Sequence, residues 1–292
     1  LSHDQRYERS KEFIKVLKGA WQQPIFNFRG KYFSVKDLVL EPRPFGGLEV
    51  FQGGQSDAAI EMACEYSDWM FLNGGSLDKI RGIIGQVRNA AGSRMVPKFA
   101  VYAVPLCRST DEEAKSEIQS MPGVYRYTLD KINSVVDKAI KKGLPMIALF
   151  PYTEKKKKNF IGAEALNEDN LVCRALKLIK KKYKNQIGIM CDVALDQYTS
   201  HGHDGLLKKD YVLNDETIKI LIDQSLLQAQ MGCDVLAPSD MMDGRIGEIR
   251  RALDKDGYKM TQILSYAVKY ASSFYGPFRD AVGSKGLLKG NK

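Results

Sequence analysis

Apolar residues recur along the chain in two alternating rhythms. Residues 4–20 carry Phe13, Ile14, Leu17 and Ala20 on one side at helical spacing, which predicts an amphipathic helix. The segment Phe26-Asn-Phe-Arg-Gly-Lys-Tyr-Phe and a proline-rich connector, Leu40-Glu-Pro-Arg-Pro-Phe-Gly-Gly, follow it. Short apolar runs at 48–51, 68–72 and 98–106 then read as strands, separated by helical patterns at 58–66 and about 77–91. Thr110-Asp-Glu-Glu reads as a capped helix start. The same alternation continues with a helix over 128–142 (Val135, Val136 and Ile140 inward), a strand over 145–150, a helix over 171–183 and a strand over 186–193. A helix capped by Asn214 runs to about 231, followed by a strand at 233–237, a helix at 246–253 and a strand at 262–270. Strand and helix in strict succession predict an α/β fold of parallel strands with helical crossovers. No period of 20–50 residues repeats in the sequence.

Two stretches concentrate the reactive side chains. Residues 192–205 read Asp-Val-Ala-Leu-Asp-Gln-Tyr-Thr-Ser-His-Gly-His-Asp-Gly, with three carboxylates (Asp192, Asp196, Asp204) and two of the chain's 3 histidines. Such a loop binds cations or moves protons. Residues 264–280 set Lys269 among apolar and aromatic neighbours, with Arg279 following a Gly-Pro turn. Removing a lysine from water disfavours its charged form, lowers its pKa and makes the amine a nucleophile. If 263–270 is a strand, period two puts Ile263, Ser265, Ala267 and Lys269 on one face, with Ser265 and Ala267 small enough to leave room for a ligand. Asp192 and Ala194 share a face in the same way, and Asp196 continues that parity. The plain alternative for Lys269 is a lysine snorkelling to the surface; apolar flanks on both sides favour the functional reading. A third stretch, Gly53-Gly-Gln-Ser-Asp between a strand and a helix, suits a phosphate, because glycines admit close approach and the free amides of a helix start face the anion.

Composition narrows the classes. With 292 residues the chain has room for one large barrel or two smaller domains. The net charge of +9 is concentrated in lysine runs at 155–158 and 177–184. No aromatics interleave with them on one face, so they read as solvated surface and not as a nucleic-acid site. No apolar run approaches the ~20 residues of a membrane helix. The 5 cysteines are scattered and form no C-x-x-C pair, which fits reduced thiols and a cytoplasmic setting. The first residues are no signal peptide, and the missing initiator methionine suggests a fragment or a trimmed chain.

Several of these blocks resemble the porphobilinogen synthase (5-aminolevulinate dehydratase) family. They are Ser120-Met-Pro-Gly-Val-Tyr-Arg-Tyr, Ala148-Leu-Phe-Pro, the 192–205 loop, Ala237-Pro-Ser-Asp-Met-Met-Asp-Gly-Arg and the 264–280 block. The resemblance covers about 116–292. It implies a (β/α)8 barrel and a lyase of tetrapyrrole biosynthesis that condenses two 5-aminolevulinates through lysine Schiff bases. By resemblance Lys269 is a Schiff-base lysine, Arg279 binds a substrate carboxylate through its planar fork, and Asp192, Ser239, Tyr266 and Phe278 line the pocket. Core packing is the plain alternative for Tyr266 and Phe278, and strand parity puts Tyr266 opposite Lys269. Zinc-dependent members carry cysteines at the positions of Ala194, Asp196 and Asp204. Carboxylates there suit Mg²⁺, so the resemblance implies that zinc is not needed, with Asp196 and Asp204 as candidate metal ligands. His201 and His203 read as loop hydrogen-bonding residues. The family forms homo-oligomers through an N-terminal arm that this chain does not carry. The chain also stops before the strand that bears the family's second Schiff-base lysine, so imine formation without normal turnover is the expectation.

Residues 1–115 resemble a different family, the bacterial-luciferase-like flavin monooxygenases, nearest to sulfone and alkanesulfonate monooxygenases. The likeness rests on His3-Asp-Gln-Arg-Tyr-Glu-Arg-Ser-Lys-Glu-Phe-Ile, Gly30-Lys-Tyr-Phe, Glu41-Pro-Arg-Pro and Gly53-Gly-Gln-Ser-Asp-Ala-Ala. It implies that Gly53, Gly54, Gln55 and Ser56 contact an FMN phosphate, on late strands of a second barrel whose earlier strands are absent. The expected architecture is therefore two partial barrels, 1–115 and 116–292, meeting near 114–117 without overlap. A gene fusion, a designed chimera or a joined fragment would each give such a chain. An FMN-dependent monooxygenase and an inactive hybrid are the alternative functions.

Overall fold

The computed structural model describes residues 2–41, 43–44, 46–72, 77–101, 115–120, 124–209, 211–267, 269 and 275–283. The chain divides into two compact units, Leu1–Val101 and Tyr102–Lys292.

The first unit opens with α1 (His3–Gln22), started by a capping box in which Ser2 and Gln5 satisfy each other's backbone amides. A hairpin follows, β1 (Phe26–Arg29) antiparallel to β2 (Ser34–Leu38). Its turn is held to α1 by the Glu12 carboxylate, which accepts the amides of Lys31 (2.8 Å), Tyr32 (2.8 Å) and Phe33 (3.0 Å). Next come β3 (Phe51–Gly53), α2 (Asp57–Tyr66), β4 (Trp69–Leu72), α3 (Leu77–Ala91) and β5 (Lys98–Val101). The three strands make a parallel sheet in chain order, with Phe51 opposite Trp69 and Trp69 opposite Lys98. Met70 and Leu72 face the helices and pack with Ile60, Ala63, Cys64, Ile83, Val87 and Ala91. The alternate positions carry Phe51 and Trp69, whose rings stack at 5.2 Å.

In the second unit β6 (Lys115–Glu117) pairs antiparallel with β7 (Tyr125–Tyr127), and α4 (Leu129–Lys141) leads to β8 (Met146–Leu149). Two 3₁₀ turns, Lys155–Lys157 and Ala163–Leu166, precede α5 (Leu171–Tyr183) and β9 (Gly188–Val193). A second hairpin, β10 (Leu206–Lys208) with β11 (Tyr211–Leu213), comes before α6 (Asn214–Gln230). The run closes with β12 (Val235–Pro238), α7 (Arg245–Lys255), β13 (Gln262–Ile263) and α8 (Tyr275–Val282). Strands β8, β9, β12 and β13 form one parallel sheet in chain order, each joined to the next by a helix. Apolar residues on both faces bury this sheet, as a parallel sheet covered by crossover helices requires. Ile147, Leu149, Ile189, Cys191, Val193 and Leu236 pack with Val172, Leu176 and Ile179 of α5 and Leu221 of α6.

Three local expectations change. The strand expected over 262–270 ends at Ile263. The ladder continues one-sidedly, with the Leu264 amide donating to Leu236 O (2.8 Å) and the Tyr266 amide to Pro238 O (3.3 Å). The Ala267 amide then donates back to Ser265 O at 3.0 Å, a three-residue turn that ends period two. Ile263, Ser265, Ala267 and Lys269 therefore share no common face: Ser265 and Ala267 are exposed and Lys269 is half-buried. Asn214 is the first residue of α6 and not its cap; its side chain is bound instead to the Asp243 backbone, accepting from N (2.8 Å) and donating to O (3.2 Å). The expected helix start at Thr110 and the strand positions after Val101 lie outside the described residues.

Candidate active site

The C-terminal ends of parallel strands are where α/β folds place their chemistry, because loops there converge from several strands at once. In the second unit Phe150 follows β8, Asp192 is the penultimate residue of β9, Ser239 follows β12, and Leu264 to Tyr266 extend β13. The Ser239 amide donates to Val193 O at 3.2 Å, which ties the end of β12 to β9.

Lys269 lies over these ends. Its Nζ donates to Ser239 O at 2.6 Å and stands 3.4 Å from Asp204 Oδ2. Asp204 is fully buried, and its Oδ1 has no hydrogen-bond partner. Asp192 is also buried; Gln197 Nε2 donates to its Oδ2, and Gln228 of α6 donates to its backbone O at 3.0 Å. Burial raises the Asp192 carboxyl to about 8, and the nearby charge of Asp196 pushes the same way, against the Ser239 hydrogen bond and the Lys269 charge. The site thus brings together Lys269, Ser239 and Asp204, with Asp192 and Asp196 in electrostatic range.

Asp240 and Arg245 brace this cluster, and neither stands among the residues singled out from sequence. Asp240 accepts from the Met242 amide at 2.8 Å and pairs with Arg245 Nε at 3.0 Å. Burial lifts the Asp240 carboxyl to about 6, the Met242 and Arg245 contacts opposing it. Arg245 also donates to Met242 O (3.1 Å), Tyr266 O (3.3 Å) and Pro238 O (3.5 Å), so one guanidinium spans the segments that follow β12 and β13. Both residues lie inside the quoted 237–245 block, which was the available signal. Tyr266 sits here by its backbone and is half-buried.

His201 and His203 staple the loop. The His201 ring accepts the His203 amide at Nδ1 (3.1 Å), which leaves Nε2 as donor to Phe160 O (3.1 Å). The His203 ring accepts the Gly205 amide at 2.9 Å. Burial lowers the His201 pKa. Among the described residues no group of three or more His, Cys, Asp or Glu side chains is arranged to hold a metal ion. Phe278 and Arg279 lie on α8, where Phe278 meets the Phe150 ring edge-on at 5.2 Å and Arg279 is half-buried.

In the first unit Gly53, Gly54, Gln55 and Ser56 form the turn from β3 into α2. Gly54 has φ +123°, and a Cβ there would lie 2.8 Å from Ala59 Cβ and 2.9 Å from the Tyr7 hydroxyl, so glycine is required. Ser56 caps α2 by accepting from the Ala59 amide at 3.3 Å. Gln55 Nε2 is buried without a partner. Asp57, in the first turn of α2, puts a negative charge beside that helix start.

With this geometry in view, the sequence profile of delta-aminolevulinic acid dehydratase matches residues 87–292. The chain belongs to the delta-aminolevulinic acid dehydratase family. Through residues 1–158 it also belongs to the luciferase-like monooxygenase family. The two matches share 87–158, a wider junction than the meeting point near 114–117 read from sequence. The dehydratase of Bradyrhizobium diazoefficiens is 51% identical over 188 residues, covering 64% of this chain and 53% of that protein. The Chlamydia pneumoniae dehydratase is 40% identical over 205 residues, covering 70% and 59%. A crystal structure of the Toxoplasma gondii dehydratase, in complex with the reaction product porphobilinogen, superposes with a TM-score of 0.62 at 35% identity, covering 75% of this chain and 62% of that one. The chain therefore spans little more than half the length of the relatives it matches. Among the described residues no helix is long and apolar enough to cross a membrane.

Proposed function

We propose that this chain carries a porphobilinogen-synthase-type lyase site in which Lys269 binds 5-aminolevulinate as a Schiff base. The observation that carries the reading is the half-buried Lys269 amine, held by Ser239 O and Asp204 at the C-terminal ends of parallel strands, next to a carboxyl raised to about 8. In this reading Lys269 passes a proton to Asp204 and attacks the substrate's ketone carbon. The new C–N bond gives a carbinolamine, and breaking its C–O bond releases water. Asp192 keeps its proton at neutral pH and supplies it to the departing hydroxyl. Arg279 takes a substrate carboxylate, while Ser239, Tyr266 and Phe278 line the pocket. Condensation of two such substrates to porphobilinogen is the proposed overall reaction, with the small molecule as the partner.

Asp196 and Asp204 are carboxylates that suit Mg²⁺ better than zinc. Among the described residues they belong to no set of three or more such donors. The division of labour proposed is a luciferase-like piece over 1–115 and a lyase piece over 116–292. A cytoplasmic setting is proposed with it, since Cys64, Cys173, Cys191 and Cys233 are buried free thiols.

A second reading, FMN phosphate on the Gly53 to Ser56 turn, is favoured by the close approach at Gly54 and the unpartnered Gln55 amide. The two readings separate in one preparation. Borohydride reduction with 5-aminolevulinate should raise the intact mass of the native chain by one substrate less one oxygen, and leave Lys269→Ala unchanged. Flavin absorbance that survives gel filtration, with no mass increase, would favour the second reading over the first.

A further inference from the structure

Helix α8 has only eight residues, too few to hold itself together in water. Its C-terminal end is held by two cations from separate segments. Arg126 of β7 donates to Asp280 O (2.7 Å) and Ala281 O (2.9 Å), and Lys158 donates to Gly283 O (3.0 Å). Ser120 Oγ donates to Asp280 Oδ2 at 2.6 Å. The last carbonyls of a helix lack partners within it and carry the negative end of its dipole, so cationic donors are matched to them in both geometry and sign. Gly283 has φ +67°, and a Cβ there would lie 2.5 Å from the Tyr152 ring. The Arg126 guanidinium lies 5.0 Å over that same ring. Lys158 differs from the lysines before it: Lys155, Lys156 and Lys157 are exposed, whereas Lys158 is half-buried. Burial lowers its pKa, against the pull of Asp196.

We infer that Arg126 and Lys158 are positioning residues that hold α8, and through it Arg279, in the pose that binds the substrate carboxylate. The inference rests on the reading of Arg279 given above. Arg279 stands one residue before the first carbonyl that Arg126 holds, so loosening this end of α8 releases its side chain. Ordinary packing of α8, by Phe278 on Phe150 and by buried Ala281 and Val282, is the competing explanation.

Two readouts on Arg126→Met, Lys158→Met and Lys158→Arg separate these. Hydrogen exchange of the α8 amides reports the clamp. The 5-aminolevulinate concentration that gives half-maximal borohydride-trapped adduct reports Arg279. Each methionine variant is expected to speed α8 exchange and raise the half-saturating concentration by about tenfold, the scale of one lost charged hydrogen bond. Maximal adduct and the exchange of β9 and β12 should stay as in the native chain, and Lys158→Arg should restore both readouts. Unchanged α8 exchange in both methionine variants overturns the clamp. Faster exchange with an unchanged half-saturating concentration overturns the positioning role. A native chain that traps no adduct overturns the role in substrate binding together with the Lys269 reading, whereas α8 exchange still decides the clamp.

Discussion

Asp192 lies one residue before the end of β9, with Gln197 donating to its Oδ2. Its folded pKa of about 8 lies above the ordinary carboxylate value of 3.8. Between those two values the folded chain keeps a proton that the unfolded chain has lost, so this group makes stability fall as pH rises through that window. Asp192→Asn removes the titration. The variant's melting temperature relative to the native chain should therefore climb steadily from pH 5 to pH 8; a difference independent of pH would show that the carboxyl is not held protonated. At Gly54 the backbone conformation and the contacts with Ala59 and Tyr7 leave no room for a side chain. Gly54→Ala should cost about 1–3 kcal/mol in urea unfolding of the first unit; a loss within experimental error would contradict the close approach. At this scale the sequence displayed the reactive residue types but not their surroundings. Lys269 is visible through its apolar flanks, yet strand parity breaks before it at the Ser265–Ala267 turn, a hydrogen bond no alternation pattern encodes. Lys158 was hidden in a lysine run that reads as solvated surface, because only the position of Gly283 distinguishes it from its neighbours.

Elements that could be recognised by period were placed well. Helices α5 and α7 and strands β8, β9 and β12 follow the apolar rhythm, since each buries a stripe or run that its neighbours cover. The hairpins β1–β2 and β10–β11 were not foreseen. Strands β10 and β11 have three residues each, and Lys209, with φ +57°, occupies a turn where Asn-Gly or Asp-Gly would have announced a hairpin. One side chain links three elements of the second unit. Asp234, just before β12, accepts Lys180 Nζ of α5 with both oxygens at 2.7 Å and the buried Ile189 amide of β9 at 2.7 Å. Asp234→Ala leaves that amide unpaired and should destabilise the second unit by about 1–3 kcal/mol. Equilibrium denaturation measures this, and a change below ~0.5 kcal/mol, as expected of an exposed ion pair alone, would show that the Ile189 bond contributes nothing.

Across the molecule, two families meet in one chain whose two compact units each have a parallel sheet and a core of their own. Both families were readable from motifs, because blocks such as Ala237 to Arg245 and Gly53 to Ala59 fix residue order that the strand-and-helix rhythm alone leaves open. The overlap of the two matches over 87–158 was not readable, since residues on either side of the junction obey the same strand-and-helix rhythm. With Ala194, Asp196 and Asp204 where thiolates would be needed, the purified protein should hold well under one equivalent of zinc. Stoichiometric zinc that disappears in an Asp196→Ala, Asp204→Ala double variant would contradict it. The central claim is that the reacting amine belongs to Lys269. Borohydride reduction in the presence of 5-aminolevulinate, followed by peptide mapping, tests it most directly. The mass of the substrate less one oxygen, from water lost and two hydrogens gained, should appear on the peptide that contains Lys269 and be absent from Lys269→Ala. An adduct on another lysine, with Lys269 recovered unmodified, would contradict the account.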